Sequence, residues 1–248
     1  QNGVGSVLLL ESNAKTLEKV RISGGGRCNV THACWDPRDL VTNYPRGRLP
    51  LMSAFSRFAA GDAVTWFEEN GLRLIVEKDG RMFPESNSSS DVVSCLRNVA
   101  KASGVHSLTK QVVNRVDSLK RNRFFVVSKG YKPFQTKKIL LATGSHSSGR
   151  KIAHALGHSI IDPVPSLFSL KLDSFSLKIC SGMALDDVKI TLFVEDKIFQ
   201  ETGRVLITHQ GVSGPAVLRL TAFAARYLSS AHYKAHLRVN WVSSSFDS

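Results

Sequence analysis

The hydrophobic pattern changes character several times along the chain. Residues 7–10, Val-Leu-Leu-Leu, form a continuous apolar run closed by Glu11, which reads as a buried strand of parallel-sheet type. Residues 22–30 are a glycine loop, Ile-Ser-Gly-Gly-Gly-Arg-Cys-Asn-Val. Residues 51–70 turn helical: Leu51, Phe55 and Phe58 share a face, and Val64 and Phe67 follow a break at Gly61 and Asp62. Gly71 suits the helix end. Asp79 and Gly80 lie between two strand-like runs, a hairpin signal. Ser88 to Ser90 can cap a helix that buries Val92, Leu96 and Val99 and stops at Gly104.

A β-rich stretch follows. Residues 105–109, 112–119 and 124–128 read as strands, the last two joined by a basic turn at 120–123. Residues 137–143 read as a further buried strand ending at Gly144, and residues 151–156 as a short helix closed by Gly157. The style shifts after Pro163 and Pro165. Residues 188–194, 197–200 and 204–208 read as antiparallel strands. Ser213 is the expected cap of a helix with Pro215 in its first turn, running to Leu228. Residues 237–242 complete the strands, and residues 243–248 read as a tail or a cut end. A boundary falls near residues 163–172, and no internal repeat is evident.

Composition adds three constraints. Hydrophobic residues are 42% of the 248, enough for a core. Lysine and arginine (33) exceed aspartate and glutamate (20), a net charge of +13 that favours an anionic partner: nucleic acid, acidic lipid or a phosphate-bearing cofactor. The cations are spread along the chain with short clusters at 120–123 and 137–138, and no run interleaves them with aromatics as a single-strand-binding track would. The four cysteines, Cys28, Cys34, Cys95 and Cys180, form no CxxC pair, which fits a reducing compartment and excludes zinc-ribbon spacing. No apolar run reaches the roughly 18–20 residues of a membrane span, and no signal peptide is visible.

Several segments carry candidate chemistry. Glu11 stands where a dinucleotide-binding βαβ unit places its ribose-binding acid; the rival reading is an ordinary strand-end carboxylate. Gly24, Gly25 and Gly26 offer backbone N–H groups free of side-chain bulk, and Arg27 adds a guanidinium, a set suited to pyrophosphate or to a plain surface turn. Residues 144–151 imitate a phosphate loop, but Lys151 comes one place late and Ile152 replaces the magnesium-binding hydroxyl, so a triphosphatase is excluded. The histidine pairs 154/158 and 232/236 lack the glutamate of a zinc peptidase. The string Thr-His-Gln-Gly-Val-Ser-Gly-Pro at 208–215 combines His209 with a helix start; it suits an anion or proton transfer, or a capping loop. Cys28 reads as a buried thiol.

Taken together and in order, these pieces resemble a known family. Residues 7–11, 21–31 (Arg-Ile-Ser-Gly-Gly-Gly-Arg-Cys-Asn-Val-Thr), 81–86 (Arg-Met-Phe-Pro-Glu-Ser), 140–144 (Leu-Leu-Ala-Thr-Gly), 155–160 and 206–215 are similar to the YhiN/BaiN-type flavoproteins, described as NAD(P)/FAD-dependent or aminoacetone-oxidase-like oxidoreductases. The resemblance implies an α/β fold: a partial FAD-binding domain, Rossmann-like and of glutathione-reductase type, over residues 1–168 with a helical excursion at about 45–104, and the start of an inserted mainly-β domain at 169–248. It implies FAD as cofactor, NAD(P)H as electron donor and a small-molecule substrate. On the same basis Glu11 matches the adenosine-ribose acid, and Gly25, Gly26, Arg27 and Asn29 match the loop along the pyrophosphate and flavin. Val113 matches the strand position whose backbone meets the adenine, and Ala142, Thr143 and Gly144 match a second flavoprotein motif. His209 lies in a family string without an assigned role. The family's first glycine fingerprint would precede Gln1, and further flavin contacts would follow Ser248. The segment between Gly144 and Ala155 is shorter than the bacterial pattern and resembles plant-type members, which would fit a plastid or mitochondrion. A chain of these 248 residues alone is expected to bind FAD weakly or not at all. The rival classes are a non-catalytic basic module for nucleic acid or protein, and a cofactor-free pseudoenzyme fragment.

Overall fold

The computed structural model describes residues 5–173 and 176–242. The chain divides into two units, residues 1–160 and 161–248.

The first unit opens with β1 (Val7–Leu10), α1 (Glu18–Ile22), β2 (Thr31–His32), α2 (Pro37–Leu40), α3 (Arg48–Phe55) and α4 (Ala60–Glu69). It continues through β3 (Leu74–Val76), β4 (Arg81–Pro84), α5 (Ser89–Ala102), β5 (Val105–Leu108), β6 (Val112–Leu119), β7 (Arg123–Lys129), β8 (Tyr131–Thr136) and α6 (Ser147–Ala155). β1 and β5 pair in parallel, Val7 against Val105 through Leu10 against Leu108. The order β2-β4-β3 forms a small antiparallel sheet, and β6-β7-β8 an antiparallel meander.

Two apolar clusters hold this unit. In the first, Val92 and Cys95 of α5 pack with Cys28 and Leu72, backed by Val20, Trp66, Phe67, Leu96 and Val99. The glycine loop is thereby anchored to the helices through Cys28. In the second, Val116 and Val126 of the meander's inner face meet Ile152 of α6, with Val113, Phe124 and Phe134 alongside. The local signals act as their chemistry requires. The Ser88 hydroxyl accepts from the Ser90 N–H at 3.3 Å and starts α5. Gly71, at φ 80°, lets α4 terminate.

The second unit holds β9 (Leu170–Lys171), β10 (Ala184–Val194), β11 (Lys197–Thr208), β12 (Gly211–Ser213), α7 (Pro215–Ser230) and β13 (His236–Asn240). Its sheet runs in the order β13-β10-β11-β12-β9. Alternate residues Val188, Ile190, Leu192 and Val194 of β10 join Val205 and Val212 beneath α7, which contributes Ala216, Val217, Leu220, Ala224 and Leu228.

Several expectations need correction. β1 is a strand but not a buried one: Val7 and Leu9 are 43% and 41% exposed, because β5 is its sole strand neighbour among the described residues. No strand forms at residues 137–143. Leu140 is 89% exposed and no strand supplies hydrogen bonds there; an apolar run alone does not create a ladder. The helical break falls at residues 56–59 rather than at Gly61. Asp62 instead lies inside α4, accepting from the Ala59 N–H at 2.7 Å, and Phe58 is exposed. β8 was unanticipated, since Pro133 argues against a strand; as an edge strand of the meander it accommodates the proline. The cap of α7 is Gly214, not Ser213, whose hydroxyl accepts from Ser169 at 2.7 Å. Residues 197–208 form one strand rather than two. α6 begins four residues earlier than expected, capped by His146, whose Nδ1 accepts from the Ser148 N–H. The tail expected at residues 243–248 lies outside the described residues.

Candidate functional site

Glu11 follows the last residue of β1, and its carboxylate is pre-set. Oε1 accepts from the Asn13 backbone N–H (2.8 Å), the Asn13 side-chain amide (3.0 Å) and the Ser12 hydroxyl (3.3 Å). None of these three bonds uses Oε2. The backbone is fixed as well: the Glu11 N–H donates to Leu108 and its carbonyl accepts from Gln111, both within 2.9 Å. The second bond brings Glu11 beside the start of β6, two residues before Val113. Val113 sits at a bulge, paired with Ser128 immediately before the register shifts.

The glycine loop forms a left-handed turn. Gly24, Gly25 and Gly26 have φ of 55°, 68° and 86°, and Cys28 follows at 60°. The three glycines differ in what they require. A Cβ on Gly24 would lie 2.9 Å from the Asn29 nitrogen and 3.2 Å from the Phe83 ring, so its bareness serves packing. On Gly25 and Gly26 a Cβ would meet nothing within 4 Å. These two present naked peptide to open space, as a surface that admits a pyrophosphate must.

Arg27 is already engaged. Its guanidinium lies 3.9 Å above the centroid of Phe83, donates to Asn87 Oδ1 from Nε (2.9 Å) and Nη2 (2.7 Å), and pairs through Nη2 with Glu77. Glu77 also pairs with Arg81 at 3.2 Å. The expectation that Arg27 offers a free guanidinium to an anion therefore changes: the arginine shapes the loop. Asn29 acts similarly, its Oδ1 accepting from Met82 N–H at 3.3 Å and tying the loop to β4. Glu77 and Asn87 were missed in the sequence. They lie 50 and 60 residues from Arg27, and no local pattern marks them.

Ala142, Thr143 and Gly144 lie in an exposed turn before α6. A Cβ on Gly149 would overlap the Thr143 side chain, so Gly149 lets α6 close on the turn. Lys19 of α1 donates to Ser145 Oγ at 3.2 Å, bringing α1 and this turn together. In the first unit the start of β6 thus adjoins the end of β1 through Glu11 and Gln111, and the 142–144 turn adjoins α1 through Lys19 and Ser145.

His209 lies in the second unit, exposed at the β11–β12 turn. The glycines around it answer to packing. A Cβ on Gly211 would strike the Leu170 carbonyl, and one on Gly214 would lie 2.8 Å from the Arg204 carbonyl oxygen and 2.9 Å from the Leu206 nitrogen. Cys28 and Cys95 are buried, and burial raises the Cys95 thiol above its ordinary value.

A parallel strand pair, an acid at the strand end and an open glycine turn define the class: a Rossmann-type nucleotide-binding unit. The sequence matches the HI0933-like protein Rossmann domain over residues 1–224. The chain belongs to the HI0933-like flavoprotein family. It is 25% identical over 236 residues to a 3-dehydro-bile acid delta(4,6)-reductase of Clostridium scindens, covering 92% of this chain and 56% of that one. It is 26% identical over 230 residues to a ribosomal RNA dihydrouridine synthase of Haemophilus influenzae, covering 88% and 55%, and 26% identical over 228 residues to the protein of that name from Escherichia coli, covering 88% and 54%. The chain spans about half the length of the curated relatives it matches. No helix among the described residues is long and apolar enough to cross a membrane.

Proposed function

We propose that this protein is a flavin-dependent reductase that adds hydrogen across an activated carbon–carbon double bond, with FAD on the first unit and NAD(P)H as reductant. The observation that carries the reading is Glu11: it ends the strand that pairs in parallel with β5, and its three hydrogen bonds all go to Oε1, which leaves Oε2 to accept from a ribose diol. The names of the relatives support the reaction class. One is named a delta(4,6)-reductase and another a dihydrouridine synthase, and both names speak of adding hydrogen.

The residues divide the work. Glu11 accepts from the ribose hydroxyls, and the Val113 backbone meets the adenine edge. Gly25 and Gly26 let the pyrophosphate approach the peptide, while Arg27 and Asn29 hold the loop in its left-handed turn. The Ala142–Thr143–Gly144 turn passes close to the cofactor. FAD so held supplies hydride chemistry at N5 of its isoalloxazine ring. We assign the second unit, residues 161–248, as the start of an inserted domain.

The test is the full-length protein, expressed from its complete reading frame. It is expected to purify yellow with one FAD per chain, to bleach anaerobically with NAD(P)H, and to be reoxidised by an enone or by uridine-containing RNA. A colourless protein whose melting temperature ignores saturating FAD overturns the reading. A binder at 100 times its Kd would stabilise by about 2.7 kcal/mol.

A further inference from the structure

Folded chains leave few buried polar groups without a hydrogen bond, and each one left calls for a partner. Among the described residues, two buried side-chain atoms have none: Gln111 Oε1 and Ser128 Oγ. They fall at one place. Ser128, 7% exposed on β7, is the register partner of Val113. Val112 pairs with Lys129, which sets Gln111 opposite Gly130. Gln111 and Ser128 are then diagonal neighbours across two strands, within reach of a long side chain.

The Gln111 side chain is half used. Its Nε2 donates to the Thr109 carbonyl at 3.2 Å, while Oε1 accepts nothing. The carboxamide lies over bare main chain: a Cβ on Gly130 would stand 3.4 Å from Nε2 and 3.5 Å from Oε1. No side chain at that position holds it in place, so the carboxamide has room to turn. The backbone says what lies beside it. The Gln111 N–H donates to the Glu11 carbonyl at 2.8 Å. A base is one glycosidic bond from its ribose, so a ribose held by Glu11 brings its base to Gln111 and Val113.

We infer that Gln111 and Ser128 select the base of the dinucleotide: Gln111 Oε1 accepts from the exocyclic amine of adenine, and the Ser128 hydroxyl donates to the ring nitrogen beside it. The inference rests on the flavin reading above and names the residues that choose adenine. One acceptor and one donor complement adenine's N6 amine and N7, whereas guanine presents two acceptors, O6 and N7, along the same edge. Gln111 Oε1 then meets guanine O6 as acceptor against acceptor and rejects it. Unpartnered atoms cost stability, and these two gain their bonds when the base arrives.

The experiment uses the full-length protein stripped of flavin and titrated by flavin fluorescence with three probes: FAD, the same dinucleotide carrying guanine, and FMN, which has no base. FAD is expected to bind about 10- to 100-fold more tightly than the guanine dinucleotide, the range for one well-matched pair of base contacts. Gln111→Met keeps the length and removes the acceptor. It should weaken FAD about tenfold and change the other two probes less than about threefold. Ser128→Ala should weaken both dinucleotides about fivefold, because N7 is common to both bases, and spare FMN. It should also leave the melting temperature of the stripped protein unchanged or higher, since it deletes an unpartnered hydroxyl. Equal affinity for FAD and the guanine dinucleotide in the parent overturns the inference, as does a Gln111→Met protein that weakens all three probes alike. A Ser128→Ala protein that keeps its full FAD affinity overturns it too, which is the result if a buried water satisfies these atoms instead. A protein that binds none of the probes refutes the cofactor reading and this inference with it; FAD bound without preference of base refutes only the base reading.

Discussion

Arg27 gives the sharpest test of how the glycine loop is built. The guanidinium has three partners: Glu77, Asn87 and the Phe83 ring. The side chains of the Arg27–Glu77 pair are 35% and 29% exposed, so solvent screening limits that bond to about 0.5–1 kcal/mol. The charge-assisted bonds to Asn87 add about 1 kcal/mol net, and the stacking on Phe83, which is 1% exposed, about another 1 kcal/mol. Arg27→Ala should then destabilise the flavin-free protein by about 2–3 kcal/mol. At about 2–4 °C per kcal/mol for a unit of this size, the melting transition should drop by about 5–10 °C. Glu77→Gln keeps an acceptor and loses the charge, and should cost about 0.5–1 kcal/mol. Arg27→Lys loses the planar fork and should fall between the two.

Differential scanning calorimetry on the protein stripped of flavin measures all three variants. The order Arg27→Ala, Arg27→Lys, Glu77→Gln from most to least damaging is required by the geometry. If Arg27→Ala melts within 1 °C or so of the parent without flavin, yet loses FAD affinity, the clamp contributes nothing to the fold. Arg27 would then be a direct cofactor contact, and the account of the loop given above would be wrong.

Glu11→Ala removes the proposed ribose acceptor and should weaken FAD binding about 10- to 100-fold by fluorescence titration, while Glu11→Asp keeps part of it. Gly214→Ala combines a φ of 100° with a Cβ pressed against the Arg204 carbonyl, and should cost at least about 2 kcal/mol in urea unfolding, whereas His209→Ala at the exposed turn should stay within about 0.5 kcal/mol. Arg121→Gly relieves a left-handed arginine and should raise stability by about 0.5–1 kcal/mol in urea unfolding. The Cys95 thiol is raised by burial, so its contribution to stability is complete below the unfolded thiol value near 9.0 and is lost as pH rises through the folded one. Alkylation at pH 8 should label the half-buried Cys180 well ahead of the buried Cys28 and Cys95, with Cys34 slowed because desolvation and the nearby Asp39 and Asp36 raise its thiol.

What the sequence revealed and what it hid follow from the range of each interaction. Caps and turns act within a few residues, so Ser88, Gly71 and the Asp79–Gly80 hairpin are legible directly. The inward positions of β10 are legible too, because a sheet covered on one face imposes period two. The glycine loop was recognisable as a loop, but the division of labour among its three glycines was not. Only the approach of Phe83 and Asn29 shows that Gly24 serves packing while Gly25 and Gly26 face open space. The string around His209 suits an anion, a proton transfer or a capping loop, and what no window shows is that two of its glycines let the Leu170 and Arg204 backbone pass close by.

Apolar runs were the least reliable signal, for a definite reason. Burial belongs to a pair of surfaces, and a sequence window contains only one. Residues 7–10 and 137–143 look alike as strings, yet the first pairs with β5 and forms a strand while the second stays irregular with Leu140 exposed. Pairing acts in the same way on the adenine contact proposed for Val113. Glu11 is tied by its backbone to Gln111, two residues before Val113, and Val113 stands where the β6–β7 register shifts. Deleting Asn114 should move that bulge and weaken flavin binding, because the strand position that meets the adenine would slip by one residue and turn to the other face. Flavin titration decides it: an Asn114 deletion that folds and keeps its flavin affinity refutes the role proposed for Val113.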